Sequence, residues 1–281
     1  GAQTSRFPMG NVHKEGCFGP GATDRVGETS GSPSRDPRGK VFSGNDLQEK
    51  MNWLFFKARI HRRNDMEGLI TQKGIYFPSA LDTVINVLKT MDLDRRKHAV
   101  ILDAGHGQGE FIFYLAKLIQ LWYPDLEVEL IGIEFEDEIF GESMRLLEVF
   151  KREDLSEKIS IQFHQGDFNS KDFEPYFQKA DYVYYFSKGT NDIRSFARTL
   201  AETMNKPGAK IVEYGDGDLA EYMQLSHALV QSRMSPVNPR ILVHEFISVQ
   251  PEDDKSLRGP RSESRSEQQG KGSGIFLQTR R

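Results

Sequence analysis

The residues best placed to do chemistry are the glycines of Asp103-Ala-Gly-His-Gly-Gln-Gly109, at positions 105, 107 and 109, directly after an apolar run. Glycines in a strand-to-helix turn let the backbone approach a ligand closely and adopt positive φ without steric cost. The spacing is G-x-G-x-G, whereas the dinucleotide fingerprint G-x-G-x-x-G would need its third glycine at position 110. That position is Glu110, which would set a carboxylate against a pyrophosphate, so a nicotinamide or flavin dinucleotide is disfavoured. Asp103 suits a cationic ammonium better than a phosphate.

Two further carboxylates fall at comparable places. Glu134 closes a second apolar run and Gly166-Asp167 closes a third. Open α/β sheets bind ligands beyond the carboxyl ends of their strands. A carboxylate there can accept from ribose hydroxyls (Glu134) or from an adenine amino group (Asp167). Each alone also reads as a solvated strand end; three in register with successive strands point to one ligand. His106 reads as the filler of a permissive loop position. The histidines at 13, 98, 164, 227 and 244 have no metal-ligand spacing, so no metal is expected.

The elements that must position these groups alternate. Apolar runs at 99–102, 128–133, 159–165, 180–186 and 209–214 read as strands, the first as a parallel strand buried on both faces. Between them, 111–122, 139–151 and 193–204 read as helices, and 219–233 follows as another. Upstream, Leu47, Met51, Leu54 and Phe55 have helical spacing, Gly74-Ile-Tyr-Phe-Pro78 reads as extended, and Leu81, Val84, Ile85 and Leu88 form a helical stripe. Such alternation implies a right-handed, mostly parallel sheet. Segments 240–249 and 274–279 read as a final antiparallel pair joined by a flexible loop, 250–273; the alternative is that 274–281 is simply tail.

The 281 residues are only 37% apolar, so part of the chain is expected outside the core. The Gly-, Ser-, Pro- and charge-rich residues 1–44 are expected to be disordered, leaving one domain over 45–281. A net charge of −4 gives no global basic field for nucleic acid. Cys17 is the only cysteine, which excludes an intramolecular disulfide and a Cys-rich metal site and suggests an intracellular compartment, nuclear or cytoplasmic. No apolar run reaches membrane-spanning length, and no membrane partner is expected.

Taken together, Asp103–Gly109, Glu134, Gly166-Asp167 and the Lys206-Pro-Gly208 turn resemble the motif series of the class I S-adenosylmethionine (SAM)-dependent methyltransferases. The resemblance spans roughly residues 76–279. It implies a Rossmann-like, seven-stranded, mostly parallel sheet with an antiparallel last strand, helices on both faces, and SAM as cofactor. It also implies that Asp103, Gly105, Gly107 and Gly109 line the methionine moiety, that Glu134 holds the ribose, and that Asp167 with Phe168 brackets the adenine.

The acceptor would face Tyr184-Tyr-Phe-Ser-Lys-Gly-Thr-Asn191, which lacks the Asn/Asp-Pro-Pro-aromatic motif used on bases and glutamine. Aromatic rings suit a lysine, whose stem packs on them while its ammonium gains cation–π attraction. The layout is similar to that of the non-SET histone-lysine methyltransferases (the disruptor-of-telomeric-silencing family) in Gly166-Asp-Phe-Asn-Ser170 and Gly208-Ala-Lys-Ile-Val212. It departs from them in having Phe186-Ser187 for paired asparagines and Tyr76-Phe-Pro-Ser79 for Tyr-Gly-Glu. Small organellar protein-lysine methyltransferases have a similar layout. The expectation is methyl transfer to a protein lysine, on a histone or nucleosome, with Tyr185 and Tyr76 as catalytic candidates. Two alternatives stand beside it. One is an RNA methyltransferase guided by the basic segment Lys57-Ala-Arg-Ile-His-Arg-Arg63, and the other is a non-catalytic SAM-binding subunit of an assembly.

Overall fold

The computed structural model describes residues 34–35, 41–63, 68–153, 155–187, 192–204, 206–215, 217–226 and 228–247. A two-residue pair, β1 (Ser34–Arg35) and β2 (Val41–Phe42), precedes helix α1 (Gly44–Ala58), whose first turn is capped by the Ser43 hydroxyl accepting from Asp46 N. Next comes an antiparallel hairpin, β3 (Leu69–Thr71) and β4 (Gly74–Tyr76), then helix α2 (Leu81–Thr90). The alternating body follows: β5 (His98–Ala104), α3 (Glu110–Trp122), β6 (Glu127–Glu134), α4 (Asp137–Lys151), β7 (Ile159–Gln165), α5 (Glu174–Lys179), β8 (Tyr182–Phe186), α6 (Ile193–Thr203) and β9 (Lys210–Tyr214). The described chain closes with α7 (Leu219–Leu225), β10 (Val230–Met234) and β11 (Ile241–Phe246).

Seven strands form one sheet in the order β10-β11-β9-β8-β5-β6-β7. All neighbours from β9 to β7 are parallel, and β11 runs antiparallel to both β9 and β10. From β5 the chain runs outward through β6 and β7, then crosses back to β8 on the other side. This reversal makes the carboxyl end of β5 the topological switch point, where such sheets open a crevice.

Alternation along the strands builds two cores. Ala99 and Ile101 join α1–α4 on one face, and Val100, Leu102 and Ala104 join α5–α7 on the other. Helix α3 is apolar on nearly all sides and buried along most of its length, with Leu121 the exposed residue near its end. It therefore holds the glycine turn before it rigidly in place.

The structure corrects the C-terminal part of the expected sheet. Residues 219–233 are not one helix: α7 stops at Leu225, and Val230–Met234 is an edge strand paired from Val230↔Phe246 to Met234↔Leu242. The apolar spacing that mimics a helix here is overridden by long-range ladder pairing, which local periodicity does not register. The antiparallel strand is Ile241–Phe246, reached from β10 by the short turn 235–240, where the Ser235 N–H bonds Ile241 O at 2.8 Å. The segment 274–279, expected to be the last strand, lies outside the described residues, as do loop 250–273 and most of 1–44.

At the sheet's edge, a polar chain crosses β9, β11 and β10. Glu213 Oε2 lies 2.8 Å from His244 Nε2, both fully buried, and His244 Nδ1 lies 2.7 Å from Ser232 Oγ. Replacing one partner leaves the other buried without its hydrogen bond. His244→Leu is therefore expected to destabilise the fold by about 3–5 kcal/mol, and Glu213→Leu combined with it to recover much of that loss. Urea midpoints of the single and double variants measure the difference.

Candidate functional site

The glycine turn is built as the sequence requires. Gly105, Gly107 and Gly109 have φ of 91°, 56° and 94°, in the left-handed region that side chains avoid. The turn is pinned to the neighbouring strand: Gly105 N and His106 N donate to Ile133 O at 2.9 and 3.1 Å. Gly107 N donates to Glu134 Oε2 at 2.9 Å, and Glu134 Oε1 accepts from Glu136 N at 2.8 Å. Glu134 thus braces the loop that the ligand would meet. Burial pushes its carboxyl above the ordinary range, and the backbone donors partly offset that. Glu134→Ala removes the brace together with the acceptor, and should weaken ligand binding by about 1–3 kcal/mol. Calorimetric titration measures it.

Asp103 is only 3% exposed. Burial and the neighbouring Glu134 carboxylate push it well above the usual carboxylate range, with no cationic side chain to counter them. Two carboxyl groups facing one turn are suited to a ligand that brings positive charge.

His106 turns away from this space. Its ring stacks on Phe163 (centroids 4.1 Å apart) and its Nε2 lies 2.9 Å from Ser143 Oγ. The Ser143 hydroxyl itself donates to Phe140 O, so Nε2 carries the proton. Desolvation lowers the ring pKa to about 3, leaving a neutral core histidine. It fits because position 132 is glycine: a Cβ there would come within 2.6 Å of the ring.

The basic segment at 57–63 divides. Lys57, Arg59 and His61 are exposed. Arg62 turns inward, where its Nε bonds Glu110 Oε1 at 2.7 Å and its terminal nitrogens reach Tyr114 and Asn52. The Gln108 side chain donates to His61 O and to Glu142, and Arg63 lies 3.9 Å from the same Glu142 carboxylate. Two of the five basic side chains of the candidate phosphate-binding surface, Arg62 and Arg63, are thus spent on bracing the start of α3 and the Glu142 carboxylate that Gln108 also contacts.

Across the mouth lies the β3–β4 hairpin. The Tyr76 ring covers Gly107, and its hydroxyl accepts from Gln108 N at 3.2 Å. Burial and the Glu110 carboxylate raise the Tyr76 phenol well above its ordinary pKa, so it stays protonated and is no phenolate base. At the hairpin turn, Gln72 N donates to Glu136 at 2.6 Å, and Lys73 Nζ lies 2.7 Å from Asp167 Oδ2 and 3.7 Å from Asp192 Oδ2. Lys73 also sits 5.0 Å over the Phe135 ring. Phe168 packs edge-on against Phe196 at 4.7 Å and Tyr185 at 6.3 Å.

The structure therefore gathers every cofactor-site candidate at one sheet end. A cavity of about 90 Å³ lies between Lys73, Tyr76, Gly105, Glu134, Phe168 and Tyr185. A smaller one, about 20 Å³, touches Asp103, His106 and Glu110. Of the aromatic candidates, Tyr185 is 1% exposed and packs its ring 4.3 Å from Phe196 while lining the cavity, and Tyr184 stacks on Phe111 at 3.9 Å. The half-buried ring at the mouth is Phe186, between Phe77 (6.1 Å) and Tyr214 (5.5 Å). Lys188, Gly189, Thr190 and Asn191 lie outside the described residues. A wider groove of about 630 Å³ between α1, α3 and α4 lies away from the strand ends and contains none of these groups. Among the described residues no cluster of three metal-ligating side chains occurs, and no helix is long and apolar enough to cross a membrane.

Sequence reasoning missed Lys73, Asp192 and the need for glycine at 132, and read Arg62 as a phosphate contact where it pairs with Glu110. A signal existed for the first: Leu69-Ile-Thr and Ile75-Tyr-Phe flank a Gly-containing turn, the pattern of a hairpin.

No family model and no curated protein matches the chain. Several solved structures are similar to it in part. A putative class I SAM-dependent methyltransferase from Listeria monocytogenes is 12% identical over 74% of this chain and 70% of its own, with a TM-score of 0.47. MNMC2 from Aquifex aeolicus is 16% identical over 73% and 84%, with a TM-score of 0.46. An RNA methyltransferase from Salinibacter ruber, in complex with S-adenosylhomocysteine, is 19% identical over 63% and 97%, with a TM-score of 0.43. The sheet order, seven strands with β11 antiparallel in an otherwise parallel body, defines a Rossmann-like α/β fold. At these identities and TM-scores the likeness carries no argument, and function has to be argued from the site.

Proposed function

We propose that the chain is a SAM-dependent methyltransferase whose acceptor is a protein lysine. The observation that carries the reading is the charge of the sheet end. Asp103, Glu134, Glu136, Asp167 and Asp192 gather at this end of the sheet, with Lys73 held by the last two. A sulfonium cofactor and an alkylammonium acceptor both gain from that field, whereas RNA phosphates are repelled.

The residues present fit the cofactor. Gly105 offers open space for backbone approach, and the buried Asp103 awaits a cation. Asp103 and the turn glycines would hold the methionine part, Glu134 the ribose, and Asp167 with Phe168 the adenine. When bound, the cofactor supplies an electrophilic methyl on a positively charged sulfur. The chain's part is to align the amine lone pair with that methyl and exclude water, worth roughly 7–11 kcal/mol at best. Tyr76 and Phe77 close the space from above, and Tyr185 and Phe186 wall the acceptor side. With its phenol protonated, Tyr76 orients by hydrogen bonding, and the acceptor ammonium loses its proton to solvent before attack.

Titration of SAM and its demethylated product by calorimetry tests the cofactor. Labelled-methyl assays on histones, nucleosomes and total RNA then test the acceptor. Label in protein lysine supports the proposal. Label in RNA alone replaces the acceptor and puts exposed Lys57, Arg59 and His61 to use. Tight binding without transfer to any substrate points to a non-catalytic subunit.

A further inference from the structure

The cavity at the glycine turn is too small for the ligand its walls suit. Sites for ligands of nucleoside size or larger usually enclose about 300–1,000 Å³, against about 90 Å³ here. What fills the difference is the β3–β4 hairpin, a strap lying across the carboxyl ends of β5, β6 and β7. Apart from the Tyr76 ring over Gly107, it has little apolar attachment: Ile70 is 84% exposed, Gln72 is exposed, and Ile75 is 39% exposed. Its turn is held by polar contacts instead, Gln72 N to Glu136 and Lys73 to Asp167 and Asp192. The three carboxylates come from three different strand ends, after β6, β7 and β8.

We infer that Lys73 is an electrostatic latch: its ammonium, held by Asp167 and Asp192, keeps the strap shut over the cofactor site and gates ligand entry. The inference rests on the proposed cofactor reading, since it takes a nucleoside-bearing ligand to be what enters. Three properties suit Lys73 to the task. Its ammonium blocks the space by standing in the cavity wall beside Phe135 and Phe168. It neutralises part of the carboxylate cluster, so a cationic ligand meets the full acidic field only when the latch leaves. And it is about one-third exposed, as are both of its partners, so water and salt reach the contact and can release it. The bond to Asp167 raises the Lys73 pKa above its ordinary value, so the latch keeps its charge across the physiological range.

The test is made on the full chain, free of ligand and then with SAM. Amide hydrogen exchange of residues 69–76 is compared between wild type, Lys73→Met, which keeps the alkyl stem, and Lys73→Arg, which keeps the charge. Association of SAM is followed by rapid mixing between about 50 and 500 mM salt. The expected result is faster strap exchange in Lys73→Met and SAM association about three- to tenfold faster than wild type. Wild-type association should accelerate with salt as the latch is screened, Lys73→Met should instead slow because salt screens its uncovered carboxylates, and Lys73→Arg should behave as wild type. Unchanged strap exchange and unchanged association in Lys73→Met would overturn the latch while leaving the cofactor reading intact. Failure of SAM to bind either protein would overturn the cofactor reading, and the gate with it.

Discussion

Gly107→Arg is expected to abolish SAM binding, with at least a hundredfold loss of affinity, a difference of about 2.7 kcal/mol or more. The reason is steric twice over. Position 107 has φ of 56°, a region that costs a non-glycine residue roughly 1–2 kcal/mol. A Cβ built there falls 2.0 Å from Cε2 of Tyr76, so the tyrosine ring must leave its place over the turn. Losing that ring also frees the Gln108 N–H that Tyr76 now satisfies. The sheet and helices are otherwise untouched, so far-UV circular dichroism should remain close to wild type. A companion variant separates ligand contact from loop damage. At Gly105 nothing lies within 4 Å of an added Cβ, so in Gly105→Ala only the backbone strain at φ 91° and an incoming ligand would oppose the methyl group. Loss of affinity in Gly105→Ala beyond its loss of stability would place the ligand against that backbone. Wild-type affinity in both variants would remove the glycine turn from the site.

The second large effect is an acid-side loss of stability that traces to His106. The ring is buried on Phe163 and its pKa is lowered to about 3, against about 6.5 in an unfolded chain. Above pH 6.5 the histidine is neutral in both states and costs nothing. Below it the unfolded chain takes up a proton that the folded chain refuses, so stability falls as pH drops from 6.5 toward 3. Over that window the loss amounts to about 4 kcal/mol. Asp103 and Glu134 work in the opposite sense. Their folded pKa values lie above those of the unfolded chain, so they favour the fold as pH falls. Comparing wild type with His106→Gln isolates the histidine. Denaturant midpoints across pH 4–7 should slope steeply in wild type and markedly less in the variant. Parallel slopes would mean that the ring is hydrated and titrates normally.

The two residues show why some of this site could be read early and some could not. The glycine turn was legible because its information is local: a buried apolar strand, glycines at alternating positions and a helix start lie within a dozen residues. The same holds for Glu134 and Asp167, whose places follow from where apolar runs stop. The environment of His106 was not legible, because the space it fills is created by Gly132, on the next strand, and roofed by Phe163, on the one beyond.

The strap and the sheet's far edge repeat the contrast. Lys73 meets Asp167 across 94 residues of chain and Arg62 meets Glu110 across 48, and no periodicity in either segment announces its partner. Residues 219–233 carry apolar spacing compatible with a helix, and pairing with β11 decides that the second half is strand. By itself, then, the sequence determined the alternating α/β order, the glycine turn and the three acidic strand ends, all of which depend on short-range pattern and backbone sterics. Only the tertiary structure decided which strand runs antiparallel, which basic residues are spent on bracing, and that a lysine strap closes the site. Those outcomes depend on hydrogen bonds and charges between segments distant in sequence, whose energies arise only once the sheet has brought them together.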